Sequence, residues 1–140
     1  MQHSNSLIYH TDNYMALLKR NLDCDFHYYI LENGNSVGAV LTAMSKNGKY
    51  GEVLNSLPFF GSNGGILAAD NHSYGLMLEY YNELSNDMSF ATFIENPFEI
   101  MERKPHFNFT SRRVCQVTDI SDLDLEKLDG IFTSKKRNDI

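Results

Sequence analysis

At 140 residues, 42% hydrophobic and 12% aromatic, the chain has the length of one ordinary domain and enough apolar surface for a core, so a disordered tract is excluded. A net charge of −6, and the lack of any run near the roughly 18 apolar residues that a membrane-spanning helix needs, argue against a duplex nucleic-acid binder and against a transmembrane segment. Residues 1–102 carry twelve acidic and four basic side chains and residues 103–140 carry six and eight, so the cations collect in Arg103, Lys104, Arg112, Arg113 and Lys135–Arg137, clusters too small for a nucleic-acid footprint.

The N-terminus lacks a basic segment followed by an apolar one, so a cytoplasmic protein is expected. Leu7, Ile8 and Tyr9 form a short apolar run, after which Thr11 is placed to cap a helix whose face carries Tyr14, Leu17, Leu18 and Leu22. From Phe26 to Glu32 aromatic and aliphatic residues favour a strand, Asn33-Gly34 signals a tight hairpin, and Val37 to Met44 runs back. A polar break over Lys46–Lys49 then separates the hairpin from a third strand, Tyr50 to Leu54. The expected result is a three-stranded meander.

Asn55 to Leu67 is the stretch the chain is organised around. Pro58 fixes its own φ and biases Leu57 toward extended backbone, while Gly61, Gly64 and Gly65 permit angles that other residues reach only with strain. Missing side chains leave backbone N–H groups uncovered, and Phe59 and Phe60 supply an apolar wall, so the loop suits close approach to a ligand. The same residues also suit an ordinary turn between a strand and the next element.

Downstream, Asp70 or Asn71 can cap a second helix with Tyr74, Met77, Leu78, Tyr81 and Leu84 on one face. Phe90 to Glu95 reads as a buried strand ended by Asn96-Pro97, with Pro97 opening a short helix to about Arg103 and Pro105 breaking the chain again. Phe107 and Phe109 fall in an irregular connection, and Val114 to Thr118 makes a last strand. Ser121 opens a helix with Leu125, Leu128, Ile131 and Phe132 along one side, and Thr133 to Ile140 starts a further element. Strands and helices alternate as in a mixed α/β (α+β) domain with a mostly antiparallel sheet flanked by helices.

Several chemistries find no support. Ser62 follows Gly61 directly, so the Gly-x-Ser-x-Gly nucleophile elbow is absent, and Gly61, Gly64 and Gly65 match neither the dinucleotide fingerprint nor the phosphate loop. Cys24 and Cys115 form no Cys-x-x-Cys pair and no His completes a zinc set, so buried free thiols and no metal are expected. Glu52, Asp70 and Glu95 near strand ends are candidate acids or bases, but no catalytic residue follows from spacing.

The segment Leu57-Pro58-Phe59-Phe60-Gly61-Ser62-Asn63-Gly64-Gly65-Ile66, arriving after a strand and entering a helix, resembles a segment of FemAB-type acyltransferases. Ile120-Ser121-Asp122-Leu123 resembles the entry to a helix in those proteins, and Lys135-Lys136-Arg137-Asn138 resembles their passage into a second, similar domain. The resemblance implies that residues 1–132 are the first of two tandem GNAT-like (acyl-CoA N-acyltransferase-like) domains and that 133–140 begin the connection to the second. It further implies transfer of an acyl or aminoacyl group to an amine of a cell-wall or cell-surface precursor, with Phe59, Phe60, Gly61, Ser62, Asn63, Gly64 and Gly65 lining the acceptor cleft. The donor, acyl-CoA or aminoacyl-tRNA, would bind the other half; this half would hold no cofactor and be inactive alone. Phe60 and Asn63 stand at positions that vary among such enzymes, and no coiled-coil arm for tRNA is visible. The alternative is a noncatalytic GNAT-like module for protein binding or oligomerisation, a homodimer among its forms.

Overall fold

The computed structural model describes residues 4–56, 63–99, 106–112 and 114. They form an α+β fold: a five-stranded mixed sheet with one helix on each face. In chain order a 3₁₀ turn (Ile8–His10) leads to α1 (Asp12–Asn21), β1 (Asp25–Asn33), β2 (Ser36–Gly48), β3 (Gly51–Asn55), β4 (Ile66–Ala68), α2 (Asn71–Asn86) and β5 (Phe90–Thr92).

Helix α1 starts where the sequence signals it, because the Thr11 hydroxyl accepts the Tyr14 N–H at 3.3 Å. Its buried stripe is Met15 and Leu18, packed on Met44 with Tyr14, Leu22 and Phe26 around them. Leu17, expected on that stripe, is instead 55% exposed, since the sheet meets the helix one residue round from it.

The β1–β2 hairpin closes with Asn33 opposite Ser36. Gly34 takes the first central position at φ 60°, with no positive φ at Asn35, as a type II′ turn requires; Asn33 is therefore the last ladder residue and not a turn residue. Strand β2 does not stop at Lys46. It continues through Asn47 to Gly48, paired with β3, and the polar residues there sit at the exposed end of a ladder whose backbone bonds do not depend on side-chain polarity. The predicted third strand accordingly begins at Gly51, and Tyr50 belongs to the turn.

Strands β3 and β4 lie end to end on the same edge of β2. Asn55 is opposite Met44 and Ile66 is opposite Leu41, so on this edge the described ladder skips only Thr42 and Ala43 of β2. The stretch expected to run from strand to helix as loop thus contains a strand, Ile66–Ala68, whose three residues are all buried. The glycine spacing hid it, because so short a strand is stabilised by its partner β2 and not by its own propensity. Strand β5 pairs parallel to β3, giving the mixed order β1-β2-β3-β5 with β4 on β2. It spans only Phe90–Thr92, not Phe90–Glu95, and Phe90 is 62% exposed because it points away from α2 beside Val53.

Alternation along β2 sends Ala39, Leu41 and Ala43 to one face, where Leu54, Ile66 and Ala68 join them under Tyr74, Met77, Leu78 and Tyr81 of α2. Alanines at 39, 43 and 68 let the helix approach closely. The bulge in the β1–β2 pairing leaves Gly38 as the extra residue of β2, and a Cβ there would lie 3.0 Å from Ser73 Oγ, so a bare backbone is what admits the first turn of α2. Asp70 caps that turn, its Oδ1 accepting the Ser73 N–H at 2.7 Å. This bond holds the Asp70 carboxyl below the usual carboxylate range.

Cys24 is a half-buried free thiol, not a fully buried one. The expected strand at Val114–Thr118, the helix from Ser121, the connection at 133–140, Cys115 and most of the helix expected after Pro97 lie outside the described residues, apart from exposed Val114. No helix among the described residues is long and apolar enough to cross a membrane.

Candidate functional site around the roots of the glycine loop

Ser56 and residues 63–65, the described ends of the glycine-rich stretch, adjoin the middle of the sheet, and both are fixed on the segment that follows β5. At the first root Ser56 is fully buried. Its N–H donates to the Thr92 carbonyl at 3.0 Å and its hydroxyl accepts the Ile94 N–H at 2.9 Å. A side chain therefore continues the β3–β5 ladder one step past its end. The Tyr81 hydroxyl also donates to Thr92 O, at 2.6 Å, tying this root to α2.

At the second root Gly64 and Gly65 are buried and Asn63 is half-buried. Gly65 has φ 83°, and a Cβ on it would come within 2.8 Å of Ile94 O, 3.0 Å of Asn96 N and 3.2 Å of Glu95 Cα. What approaches Gly65 where its side chain would be is the protein's own 94–96 backbone, which requires glycine on two counts, the angle and the space. The Gly65 carbonyl lies 3.3 Å from His10 Nε2, while His10 Nδ1 accepts the Leu7 N–H at 3.0 Å. That second bond assigns the ring proton to Nε2, so a neutral His10 donates to Gly65.

The clamping segment is itself braced. Asn96 is buried; its Oδ1 accepts the Phe98 N–H at 3.0 Å across Pro97, and its Nδ2 donates to Asn5 O at 2.8 Å. Asn5 Nδ2 donates back to Phe98 O at 3.2 Å and to Glu99 Oε1 at 3.3 Å. Residues from the N-terminus, the loop root and the post-β5 turn thereby form one hydrogen-bonded patch.

Among the described residues its carboxylates are those of Glu95 and Glu99. Of the three candidate acids or bases, Glu95 alone stands against the loop root, exposed, one residue from Asn96 and with its backbone in contact range of Gly65. Burial first, and then the negative charges of Glu95 and Glu99, push the Tyr74 hydroxyl up to about 12, so both carboxylates act on that buried phenol. Asp70 serves as a helix cap, and Glu52 acts on Tyr29 across the sheet. A rim with Glu95 and Glu99 suits a cationic group such as an ammonium.

Of the residues expected to line a cleft, Asn63, Gly64 and Gly65 are brought together at the second root, and Phe59, Phe60, Gly61 and Ser62 lie outside the described residues. Ser56 and His10 carry no signal of these roles in their local sequence. Asn-Pro at 96–97 is the one signal that could have found the brace, since Asn before Pro favours an Asx turn. Among the described residues no three His, Cys, Asp or Glu side chains converge to hold a metal ion. No family model, curated protein or solved structure matches the chain.

Proposed function

We propose that this chain is the acceptor-binding, N-terminal GNAT-like domain of a FemAB-like acyltransferase acting on an amine of a cell-wall or cell-surface precursor. The observation that carries the reading is the clamping of a glycine-rich loop, at both roots, onto a segment whose exposed carboxylate is Glu95. Roots so held form a fixed base, and the carboxylates beside that base draw an ammonium acceptor toward it. In the reaction the acceptor loses a proton, its nitrogen lone pair forms the new C–N bond with the acyl carbon, and the ester or thioester bond to the donor breaks. The donor's hydroxyl or thiol leaves with the electron pair and takes a proton. Glu95 is the acceptor-orienting residue in this scheme, with acyl-CoA or aminoacyl-tRNA supplied on a second domain.

The test is transfer of a labelled acyl group by the full native polypeptide, comparing Glu95→Gln with the parent. A several-fold rise in acceptor KM with donor KM unchanged is expected, because an exposed carboxylate contributes about 1 kcal/mol to a cation. Unchanged acceptor KM removes Glu95 from the scheme. A native polypeptide with no transfer activity toward any amine would leave the noncatalytic binding module as the better reading.

A further inference from the structure

We propose that β1 is a dimerisation edge, two copies of this chain pairing antiparallel through residues 25–33 about a two-fold axis at Tyr29 and so joining their sheets into one. The proposal is independent of the acyl-transfer reading. Strand β1 ends the strand order, and among the described residues nothing pairs with its outer side. A sheet edge of this kind presents a row of N–H and C=O groups that templates another strand unless the sequence guards it. Among the described residues the guards are few, two carboxylates near the strand ends. The nine residues Asp-Phe-His-Tyr-Tyr-Ile-Leu-Glu-Asn contain no proline, lysine or arginine, and the bulge in the β1–β2 pairing puts its extra residue on β2, leaving β1 regular. The opposite edge differs: β5 has only three residues, and the chain beyond it is engaged with Ser56.

The side chains choose the occupant. A two-fold axis normal to the sheet keeps each face on its own side, so residues directly opposite one another must have the same parity. With the axis at Tyr29 all nine residues pair within the strand: Tyr28 meets Ile30 of the second copy, Phe26 meets Glu32, and Asp25 meets Asn33. No carboxylate faces another, and the strand's acids sit at its ends. Moving the axis one residue either way leaves part of the strand unpaired, and moving it to Ile30 sets Glu32 against Tyr28. The Tyr29 register also joins two large side chains that stay exposed in one copy, Ile30 at 56% and Tyr28 at 42%, the latter held by a side-chain hydrogen bond to Asp12. An aromatic residue against a β-branched one is a favourable cross-strand pair. Both lie on the face opposite α2, where the Tyr28 side chain is hydrogen-bonded to Asp12 at the start of α1 and Ile30 stands one pair further along the strand. A second copy therefore satisfies backbone, apolar side chains and charge with one strand.

The experiment is light scattering on the eluting chain over a range of micromolar concentrations, for the parent and for Ile30→Lys. The expected result is a mass of two chains for the parent that falls to one chain in Ile30→Lys, with the far-UV circular dichroism spectrum unchanged and a melting temperature that no longer depends on chain concentration. A second measurement does not depend on how that variant folds. In a background with Cys24→Ser and Cys115→Ser, Tyr28→Cys with Ile30→Cys should give a disulfide-linked dimer on mild oxidation, and Tyr28→Cys alone should give several-fold less, because residue 28 does not face itself. A monomeric parent at every concentration overturns the proposal. So does a dimer that survives Ile30→Lys in its native fold, or equal cross-linking by the single-cysteine chain.

Discussion

His10 donates from Nε2 to the carbonyl of Gly65, 3.3 Å away, while its Nδ1 accepts the Leu7 N–H. One neutral ring thus joins the first turn of the chain to the root of the glycine loop, residues far apart in sequence. Replacing it with alanine removes both bonds and leaves the Leu7 N–H to find water. His10→Ala should lower stability by about 1–2 kcal/mol, read from the urea midpoint at unchanged m-value. A midpoint equal to the parent's would mean that the ring rests on the surface without holding the loop.

Gly65→Ala combines a left-handed backbone angle with a Cβ that meets the 94–96 backbone. The angle alone costs about 1–2 kcal/mol for an alanine, and the backbone contact at 2.8 Å adds to it because no flexible side chain can give way. Loss of about 2 kcal/mol or more is expected in denaturant unfolding. The control is Gly34→Ala, where φ is 60° but nothing lies within 4 Å, so only the angular cost applies. Equal losses at the two positions would would count against the clamp.

Tyr81→Phe tests the tie between α2 and the first loop root. The lost hydroxyl bond to Thr92 O is short, at 2.6 Å, but the Ser56 N–H still donates to the same carbonyl at 3.0 Å. Because the acceptor keeps a partner, the cost should sit near 1 kcal/mol and not at the ~3 kcal/mol of an orphaned buried carbonyl. Protection of the Ser56 amide in hydrogen exchange should survive in the variant.

Tyr74 gives the chain an alkaline limb. Burial, reinforced by Glu95 and Glu99, raises its folded-state value from the ordinary 10.0 to about 12. The folded form therefore holds its proton more tightly than the unfolded form, and the associated stability is complete below pH 10 and is lost as pH rises toward 12. Tyr74→Phe should flatten the fall in stability over that interval, as measured by unfolding at a series of pH values. A parallel fall in the variant would assign the limb to other phenols, Tyr28 and Tyr81 being raised as well.

Local signals were legible wherever one residue and its near neighbours decide the outcome. Thr11 and Asp70 cap the helices they were expected to cap, because an N-cap needs only a side-chain oxygen and an N–H three residues on. The stripe Tyr74, Met77, Leu78 and Tyr81 is buried as its spacing predicts. The site was legible only in outline. Composition pointed to the glycine stretch and to Glu95 separately, and nothing in either segment announced that they touch.

Sequence by itself determined the meander, both helix starts and the position of the glycine-rich excursion, since these follow from backbone preference and short-range hydrogen bonds. Tertiary structure decided that Ile66–Ala68 is a strand, that β2 runs on through Lys46, Asn47 and Gly48, and that Gly65 rests on the 94–96 backbone. Each of those depends on a partner distant along the chain: a ladder edge for the three-residue strand, β3 for the polar end of β2, and a turn beyond β5 for Gly65. Such partners meet only after the sheet has formed, so no window of local sequence carries the information.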